Sequence, residues 1–293
     1  MELSNRIAAP ALSPRLAWLI AVLIAVLHAA MAVTAVNTKS PTFDEPQHLT
    51  AGYSYWVRND FRLDPENGNL PSRWAALPLL LIHPNFVPAN DGSWQSADEG
   101  RTARQFLYQQ GNDPDRMIAD ARMIMSIFGA ALCLSIYGIA RQFFGVIGGL
   151  IAEILASFDP NFLAHSALVT SDVAAAFLFT ATIWNCWRLV QKISPIRLMF
   201  AALSLCGLFL AKFSAPIVLP VLGIMSILQV ASQREIAVSL PAPFQSSCSG
   251  KSVNRMLSGQ TILLTLIKLR VGRATVTHIW SIVRSIGART SRR

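Results

Sequence analysis

The sequence contains little charge. Of its 293 residues only 14% are charged and 53% are hydrophobic, and the mean hydropathy is +0.42. Soluble domains usually carry about 25% charged residues. The composition therefore excludes an ordinary soluble protein and predicts an all-α integral membrane protein.

The sequence also has few cysteines and lacks the common glycine-rich motifs. There are four cysteines, no CxxC pair, and three of the cysteines lie inside apolar runs. Such cysteines are typical of small buried side chains, so we predict neither a disulfide framework nor a metal site. The sequence contains no GxGxxG or Walker motif. No cofactor is predicted, and the sequence does not decide whether a divalent metal is needed.

The net charge of +9 is concentrated at one end of the chain. Residues 1–232 hold 15 basic and 15 acidic residues, whereas residues 233–293 hold ten basic residues and one acid, Glu235. The main body therefore gives no reason to expect a nucleic-acid partner. We predict a membrane domain over 1–232 and a basic, Ser-rich tail over 233–293. The tail has two interpretations: a segment lying on an anionic membrane surface, or an end that is frameshifted, truncated or disordered.

Apolar runs predict about six transmembrane helices, at 17–36, 117–139, 144–158, 172–187, 198–211 and 216–230. Arg6 and Arg15 precede the first run, and basic residues mark the turns at 141 and 188–197, so these ends should be cytoplasmic. The first run is long for a signal peptide and is followed by further spans, so an uncleaved helix is predicted. The loop at about 37–117 then lies outside a multi-pass protein of the cytoplasmic membrane.

This outer loop opens with "SPTFDEPQHLTAGYSYWV", residues 40–57. Asp44 and Glu45 precede Pro46, a pattern typical of a helix start. The spacing of Leu49, Tyr53 and Trp56 indicates an aromatic helix face that would lie at the membrane interface. Glu45 fits helix capping and a functional role equally well, whereas Asp44 is predicted to be functional. His48 is interpreted as a surface histidine rather than a metal ligand with Asp44.

Three further ionisable residues are predicted to lie at the same membrane face. Glu66 falls in the turn "DPENGN", before a short apolar helix at 70–81, and fits a solvated turn and a site equally well. Asp172 begins the fourth span, and Lys212 ends the fifth, where it would either snorkel to the interface or serve a site. The shared face of these residues indicates one site.

These segments resemble a family of membrane enzymes. "TFDEPQHLTAGYSYWVRNDFRL", "DPENGNLPSRWAALPL", "FDPNFLAHSALVTSDVAAAFLF" and "GLFLAKFSAPIVLP" are similar to the protein O-mannosyltransferase-like superfamily. This is glycosyltransferase family 39, with relatives that include the lipid A aminoarabinose transferase. The resemblance covers about 15–230 and implies the N-terminal part of a GT-C fold. Relatives often have His-Pro-Pro after the loop Glu, whereas this chain has Asn67-Gly68-Asn69. Relatives are also longer, so a C-terminally truncated chain is expected.

The resemblance implies transfer of a sugar from a polyprenyl-phosphate donor to an acceptor hydroxyl or phosphate outside the cytoplasmic membrane, with inversion. Asp44 would be the catalytic base, and Asp172 would act beside it. Glu45, Glu66, Arg73 and Lys212 would bind substrate, with Lys212 or Arg73 facing the carrier phosphate. The predicted partners are the lipid-linked donor and membrane lipid, with the sugar and acceptor unspecified.

Two alternatives remain open on the sequence. One is a non-catalytic membrane subunit or an inactive fragment. The other is a small transporter, which would need polar residues deep in its spans, and Glu153 is the clearest residue of that kind.

Overall fold

The computed structural model describes residues 12–65, 67–232 and 237–238. The predicted tail thus lies almost wholly outside the described residues, and so does Glu66. The described helices are α1 (Pro14–Asn37), α2 (Glu45–Val57), α3 (Asn69–Ala75), α4 (Leu79–Ile82), α5 (Gly92–Gln95), α6 (Glu99–Tyr108), α7 (Pro114–Ser157), α8 (Pro160–Ser166), α9 (Asp172–Gln191), α10 (Pro195–Ala211) and α11 (Val218–Ala231). A 3-10 turn at Ala215–Ile217 precedes α11.

The all-α membrane class predicted from composition is confirmed. Within the described ranges, α1, α7 and α9 are each long and apolar enough to cross a membrane. Helix α10 and the stretch Ala215–Gln229 are apolar but shorter. Five described helices therefore correspond to the six predicted spans, because α7 contains both the second and the third.

Helix α7 is a hairpin that reverses direction at Gly145. This residue has φ 73° and ψ −176°, a conformation open to glycine and strained for other residues. Residues on the two sides of the reversal meet: Tyr137 and Leu150 belong to one apolar cluster, and the Ser157 hydroxyl lies 3.2 Å from the Cys133 sulfur. The two antiparallel halves match the two spans expected at 117–139 and 144–158.

Proline after a polar residue starts four of these helices, α1, α7, α8 and α10. Ser13, Asp113 and Asp159 each accept a hydrogen bond from a backbone N–H in the first turn of the helix that follows, and a proline stands next in each case. The polar side chain satisfies an N–H that has no partner within the helix, and proline supplies the φ angle of the first helical residue. These helix starts are local properties of the sequence.

Small side chains allow α1 to lie close to the α7 hairpin and α8. Ala17, Ala21, Ala25 and Ala32 are buried along one face of α1, as is common where membrane helices approach closely. His28 lies on this face, with one ring nitrogen 2.8 Å from the Ser157 carbonyl oxygen and the other 2.8 Å from the Ser166 hydroxyl. These contacts attach α1 to α8 and to the end of the hairpin.

The long loop between α1 and α7 folds into a packed body of its own. Leu49, Tyr53, Leu79, Phe106 and Met117 are among the buried residues of one apolar cluster. The aromatic face predicted on α2 is therefore divided: Leu49 and Tyr53 lie inside this cluster, and Trp56 remains 41% exposed. Contact with α3 and α6 replaces much of the expected contact with the membrane interface.

The chain divides into two compact units. The first comprises Met1–Trp187 and Met199–Leu222, and the second comprises Arg188–Leu198 and Gly223–Arg293. In the second unit, strand β1 (Lys192–Ile193) pairs in parallel with β2 (Ala237–Val238). The Arg197 guanidinium there donates a hydrogen bond to the Arg188 carbonyl, at 2.6 Å.

Candidate functional site

Asp44 stands at the start of α2 with its side chain exposed. Its backbone is helical, and its carboxylate makes no capping hydrogen bond to the helix. The backbone carbonyl accepts a bond from His48 N–H at 3.0 Å, so the residue is fixed by its main chain. The backbone of Asp44 is consequently held at a defined place, and its carboxylate is not used to cap the helix.

Glu45, the next residue, has the opposite environment. It is fully buried, and Arg122 donates to both carboxylate oxygens, Nε to Oε1 at 2.8 Å and Nη2 to Oε2 at 2.7 Å. Thr42 N–H donates to Oε2 at 2.8 Å, and Val169 N–H donates to Oε1 at 3.2 Å. Burial works to raise the pKa of Glu45, but these donors, chiefly Arg122, bring it below its ordinary value.

Arg122 connects Glu45 to the end of α1. Its Nη1 donates to the carbonyls of Val36 and Lys39, at 2.7 and 3.1 Å. Its Nη2 donates to the backbone carbonyl of Ser40 at 3.3 Å. The segment that carries Asp44 is thereby fixed to both α1 and α7. Sequence reasoning missed Arg122. The available signal was a lone arginine in the apolar run "MIADARMIMSIF", since such residues are costly and need buried partners.

The hydrogen bond from Val169 to Glu45 links the segment before Asp172 to the residue next to Asp44. Val169 precedes Asp172 by three residues, and Asp172 begins α9. The Asp172 carboxylate accepts a hydrogen bond from the Lys212 ammonium, which follows the end of α10. The side chains of this ion pair are 55% and 33% exposed, respectively. Asp172 and Lys212 therefore meet at a solvent-accessible position, joined through Val169 to the residue beside Asp44.

His48 and Asp64 form an ion pair within the loop. His48 Nδ1 lies 3.0 Å from Asp64 Oδ2, and the other Asp64 oxygen accepts bonds from the backbone N–H and side-chain amide of Asn67. Burial tends to lower the pKa of His48, but Asp64 and the nearby charges of Glu99 and Asp44 raise it overall. Burial tends to raise the pKa of Asp64, but His48 and Asn67 lower it overall.

The turn that follows Asp64 packs against the end of α10. A Cβ on Gly68 would lie 2.2 Å from the Leu210 carbonyl oxygen, so this position requires glycine. Leu70 packs on the cluster that contains Leu208 and Ala211. The turn predicted to contribute Glu66 is therefore placed next to the residues that precede Lys212, although Glu66 itself is outside the described residues.

Arg73 has a different environment from the other predicted residues. Its guanidinium lies over the rings of Trp56 and Phe61, at 4.9 and 5.2 Å from their centroids, and donates to the Tyr55 carbonyl at 3.3 Å. These described contacts are all with the end of α2 and the residues just after it. The structure thus links Glu45 to the segment before Asp172 and pairs Asp172 with Lys212, and it places Arg73 against an aromatic surface.

Within the described part of the chain, no three His, Cys, Asp or Glu side chains are grouped as metal ligands. The Asp44–His48 pair considered from the sequence does not form a simple two-ligand site, since His48 Nδ1 is directed to Asp64. The chemistry available from the described groups is that of exposed carboxylates, which can accept protons, beside an ammonium that can hold an anion.

The geometry defines a helical membrane protein with a charged site where a long folded loop meets the ends of its helices. A family model narrows this class. The model described as "Dolichyl-phosphate-mannose-protein mannosyltransferase" matches residues 116–243. The match confirms the family resemblance predicted from the sequence, and this is a family of membrane glycosyltransferases. It includes Asp172 and Lys212 but not the loop that carries Asp44.

The comparison with curated proteins and the comparison with solved structures each gave no significant match.

Proposed function

We propose that this protein transfers a sugar from a polyprenyl-phosphate donor to an acceptor hydroxyl or phosphate on the extracytoplasmic side of the membrane. The main support is the series of contacts that runs from Glu45, the neighbour of Asp44, to Val169 in the segment before Asp172, and the pairing of Asp172 with Lys212. The family match over residues 116–243 supports the reaction class.

In the proposed step, the acceptor oxygen forms a bond to the anomeric carbon as the bond from that carbon to the phosphate oxygen breaks. The polyprenyl phosphate leaves with the bonding electrons, and Asp44 accepts the acceptor's proton. A carboxylate within hydrogen-bond reach can act as this general base. Lys212 would stabilise the charge that grows on the leaving phosphate. Attack opposite the leaving group inverts the anomeric centre.

Glu45 was predicted to contact substrate. Because its oxygens already accept bonds from Arg122, Thr42 and Val169, we propose instead that it holds Asp44 and the Asp172 segment in register. Arg73 keeps its proposed substrate-binding role in another form, since exposed Trp56 and Phe61 beside a guanidinium offer stacking for a sugar ring. Glu66 keeps its proposed role on the resemblance alone.

The proposed side of the membrane follows from the charges that flank the helices. Arg15 lies at the start of α1, and Arg141 lies near the Gly145 reversal, at the ends away from the long loop. Basic residues favour the cytoplasmic side. The loop body and the site would then face the extracytoplasmic side, where lipid-linked sugars replace nucleotide sugars as donors.

The transporter alternative depended on Glu153. This side chain is fully buried, and neither carboxylate oxygen has a hydrogen-bond partner. A residue on a transport path would face a water-filled cavity or a partner charge. The burial of Glu153 therefore favours the transferase.

The proposal is tested by incubating membranes that contain the protein with a polyprenyl-phosphate donor carrying a labelled sugar. Asp44→Asn should lower transfer by about 10²-fold or more, the usual effect of losing a general base. Asp98→Asn is the matched control, because Asp98 caps α6 in the same loop and asparagine caps equally well. Undiminished transfer by Asp44→Asn would refute the base assignment. No transfer by the wild type with any such donor would favour a non-catalytic subunit.

A further inference from the structure

We infer that Lys212 exchanges partners during the reaction: the carrier phosphate displaces Asp172 from the ammonium, and Asp172 returns when the lipid phosphate departs. The inference rests on the proposed function and adds a competition between an internal carboxylate and the donor. Both would bind the same cation through oxygen atoms with negative charge.

The ion pair is placed so that it can open. Asp172 and Lys212 are 55% and 33% exposed, respectively, and ion pairs this exposed contribute little to stability. The contrast with the buried Glu45–Arg122 pair is large, since those side chains are 0% and 3% exposed. Of these two pairs, the Asp172–Lys212 pair is the one that an incoming anion can reach.

Each member of the pair also has support when its partner is absent. Asp172 is the first residue of α9, a 20-residue helix, where the helix dipole favours a negative charge. Lys212 follows the last residue of α10, and its N–H bonds the Leu208 carbonyl, so its ammonium lies where the dipole favours a positive charge. Separation therefore leaves neither charge without a favourable field.

The surroundings of Lys212 suit a phosphate attached to a lipid better than free phosphate. Phe213, the next residue, is 84% exposed, and Phe43, next to Asp44, is 83% exposed. Aromatic side chains at such positions favour the boundary between lipid and water. An ammonium next to an exposed phenyl ring can bind the phosphate and the first isoprene units of one ligand.

Exchange of partners at Lys212 would couple donor binding to release of the Asp172 carboxylate. While Lys212 holds Asp172, the carboxylate already accepts a hydrogen bond from the ammonium. Once phosphate occupies Lys212, Asp172 is released beside the acceptor position. The second acid thus becomes available when the donor is bound.

The test measures the binding of farnesyl phosphate, which carries no sugar, to the purified full-length protein in detergent. Asp172→Asn should bind it about two- to fivefold more tightly, the range expected when a part-exposed competing charge is removed. Lys212→Met should bind it at least about tenfold more weakly, because a charge-assisted bond to phosphate is lost. In the transfer assay, Asp172→Asn should combine a lower KM for the donor with a lower kcat.

Two variants control for the change in net charge. Asp113→Asn removes an acid that caps α7, and Lys39→Met removes an exposed lysine just after α1. Both should bind farnesyl phosphate like the wild type. If Asp113→Asn tightens binding as much as Asp172→Asn does, a general field effect replaces the exchange, and the inference is rejected.

The remaining outcomes separate the inference from the proposed function. Binding by the wild type with no gain in Asp172→Asn would overturn the exchange and leave the donor class standing. No binding of farnesyl phosphate by the wild type would overturn the donor class as well. Inorganic phosphate that binds as tightly as farnesyl phosphate would contradict the lipid-linked ligand.

Discussion

Arg122 and Glu45 form a buried two-point ion pair across 77 residues of sequence, with N–O distances of 2.8 and 2.7 Å. The pair lies where α1, α2, α7 and the segment before α9 come together, since each of these contributes a partner atom. A planar guanidinium matches a carboxylate in this geometry and fills its remaining donor positions with backbone carbonyls. The position of Asp44 depends on this arrangement.

Removing one member of this pair should destabilise the protein strongly. Glu45→Gln or Arg122→Gln leaves a buried charge without its partner, which costs about 3–5 kcal/mol. The measurement is the temperature at which half of the purified protein loses its monodisperse state in detergent.

Arg116→Gln is the matched control for that comparison, because Arg116 pairs with Asp120 on the exposed surface of the same helix at 3.8 Å. An exposed pair is worth about 0–1 kcal/mol. Equal losses in Arg116→Gln and Arg122→Gln would contradict the role assigned to the buried pair.

The His48–Asp64 pair should make the loop body more stable in mild acid than in alkali. The pKa of His48 is raised above 6.5, so its charge contributes fully below that value and the contribution is lost as pH rises through the folded pKa. The pKa of Asp64 is lowered below 3.8, so its contribution is present above that value and is lost as pH falls through the folded pKa. Both charges therefore contribute most between about pH 4 and 6.5.

Hydrogen exchange of residues 60–68 at pH 5.5 and 8.5, corrected for the intrinsic rate, should show weaker protection at the higher pH. His48→Gln should lose this difference, because glutamine keeps a hydrogen-bond donor but does not titrate. A pH effect that persists in His48→Gln would assign it to another group.

Gly52 should not tolerate a larger side chain. A Cβ at this position would lie 1.9 Å from the Ser72 carbonyl oxygen, so α2 and α3 would have to separate. Gly52→Ala should cost about 1–3 kcal/mol. Gly100→Ala is the control, because the nearest atom to its Cβ would be 3.8 Å away and alanine favours helix by about 0.5–1 kcal/mol. Gly52→Ala should lower thermal stability, and Gly100→Ala should leave it unchanged or raise it. If Gly52→Ala does not lower it, α2 and α3 are not in close contact at this position.

Gly145→Ala should weaken the reversal within α7 even though nothing lies within 4 Å of its Cβ position. The cost is conformational, about 1–3 kcal/mol for an L-residue with φ of 73° and ψ of −176°. Gly138→Ala in the same helix makes only an ordinary 3.6 Å contact with Trp18 and should be neutral or stabilising. Unfolding in mixed micelles compares the two variants. Equal stability would mean that the hairpin tolerates a different turn.

Much of the helical architecture could be predicted from the sequence. Ser13, Asp113 and Asp159 stand directly before prolines, and the helix starts follow from that local chemistry. The sequence predicts a turn at Arg141, between the spans 117–139 and 144–158, and the structure reverses direction at Gly145. The aromatic face of α2 was harder to place, because Leu49 and Tyr53 suit a membrane interface and a protein core equally well.

The candidate site was less predictable from local patterns. The sequence predicts that Asp44, Asp172 and Lys212 share one membrane face, because the order of the spans determines the side on which each residue lies. Arg122 was missed, and the sequence left open whether Glu45 was a cap or a site residue, because no local pattern names a distant partner. The surface interpretation of His48 likewise had no access to Asp64, 16 residues away in a different local element.

The sequence by itself determined the membrane class, several helix starts and the family resemblance, because hydrophobic run length, helix capping and short motifs operate over a few neighbouring residues. Tertiary structure alone decided which of two adjacent acids is buried and which is exposed. Glu45 is sealed by donors that lie 77 and 124 residues away in the chain, whereas the helix places Asp44 outside that contact. The free energy of a charge depends on the atoms around it, and folding brings those atoms from distant parts of the sequence.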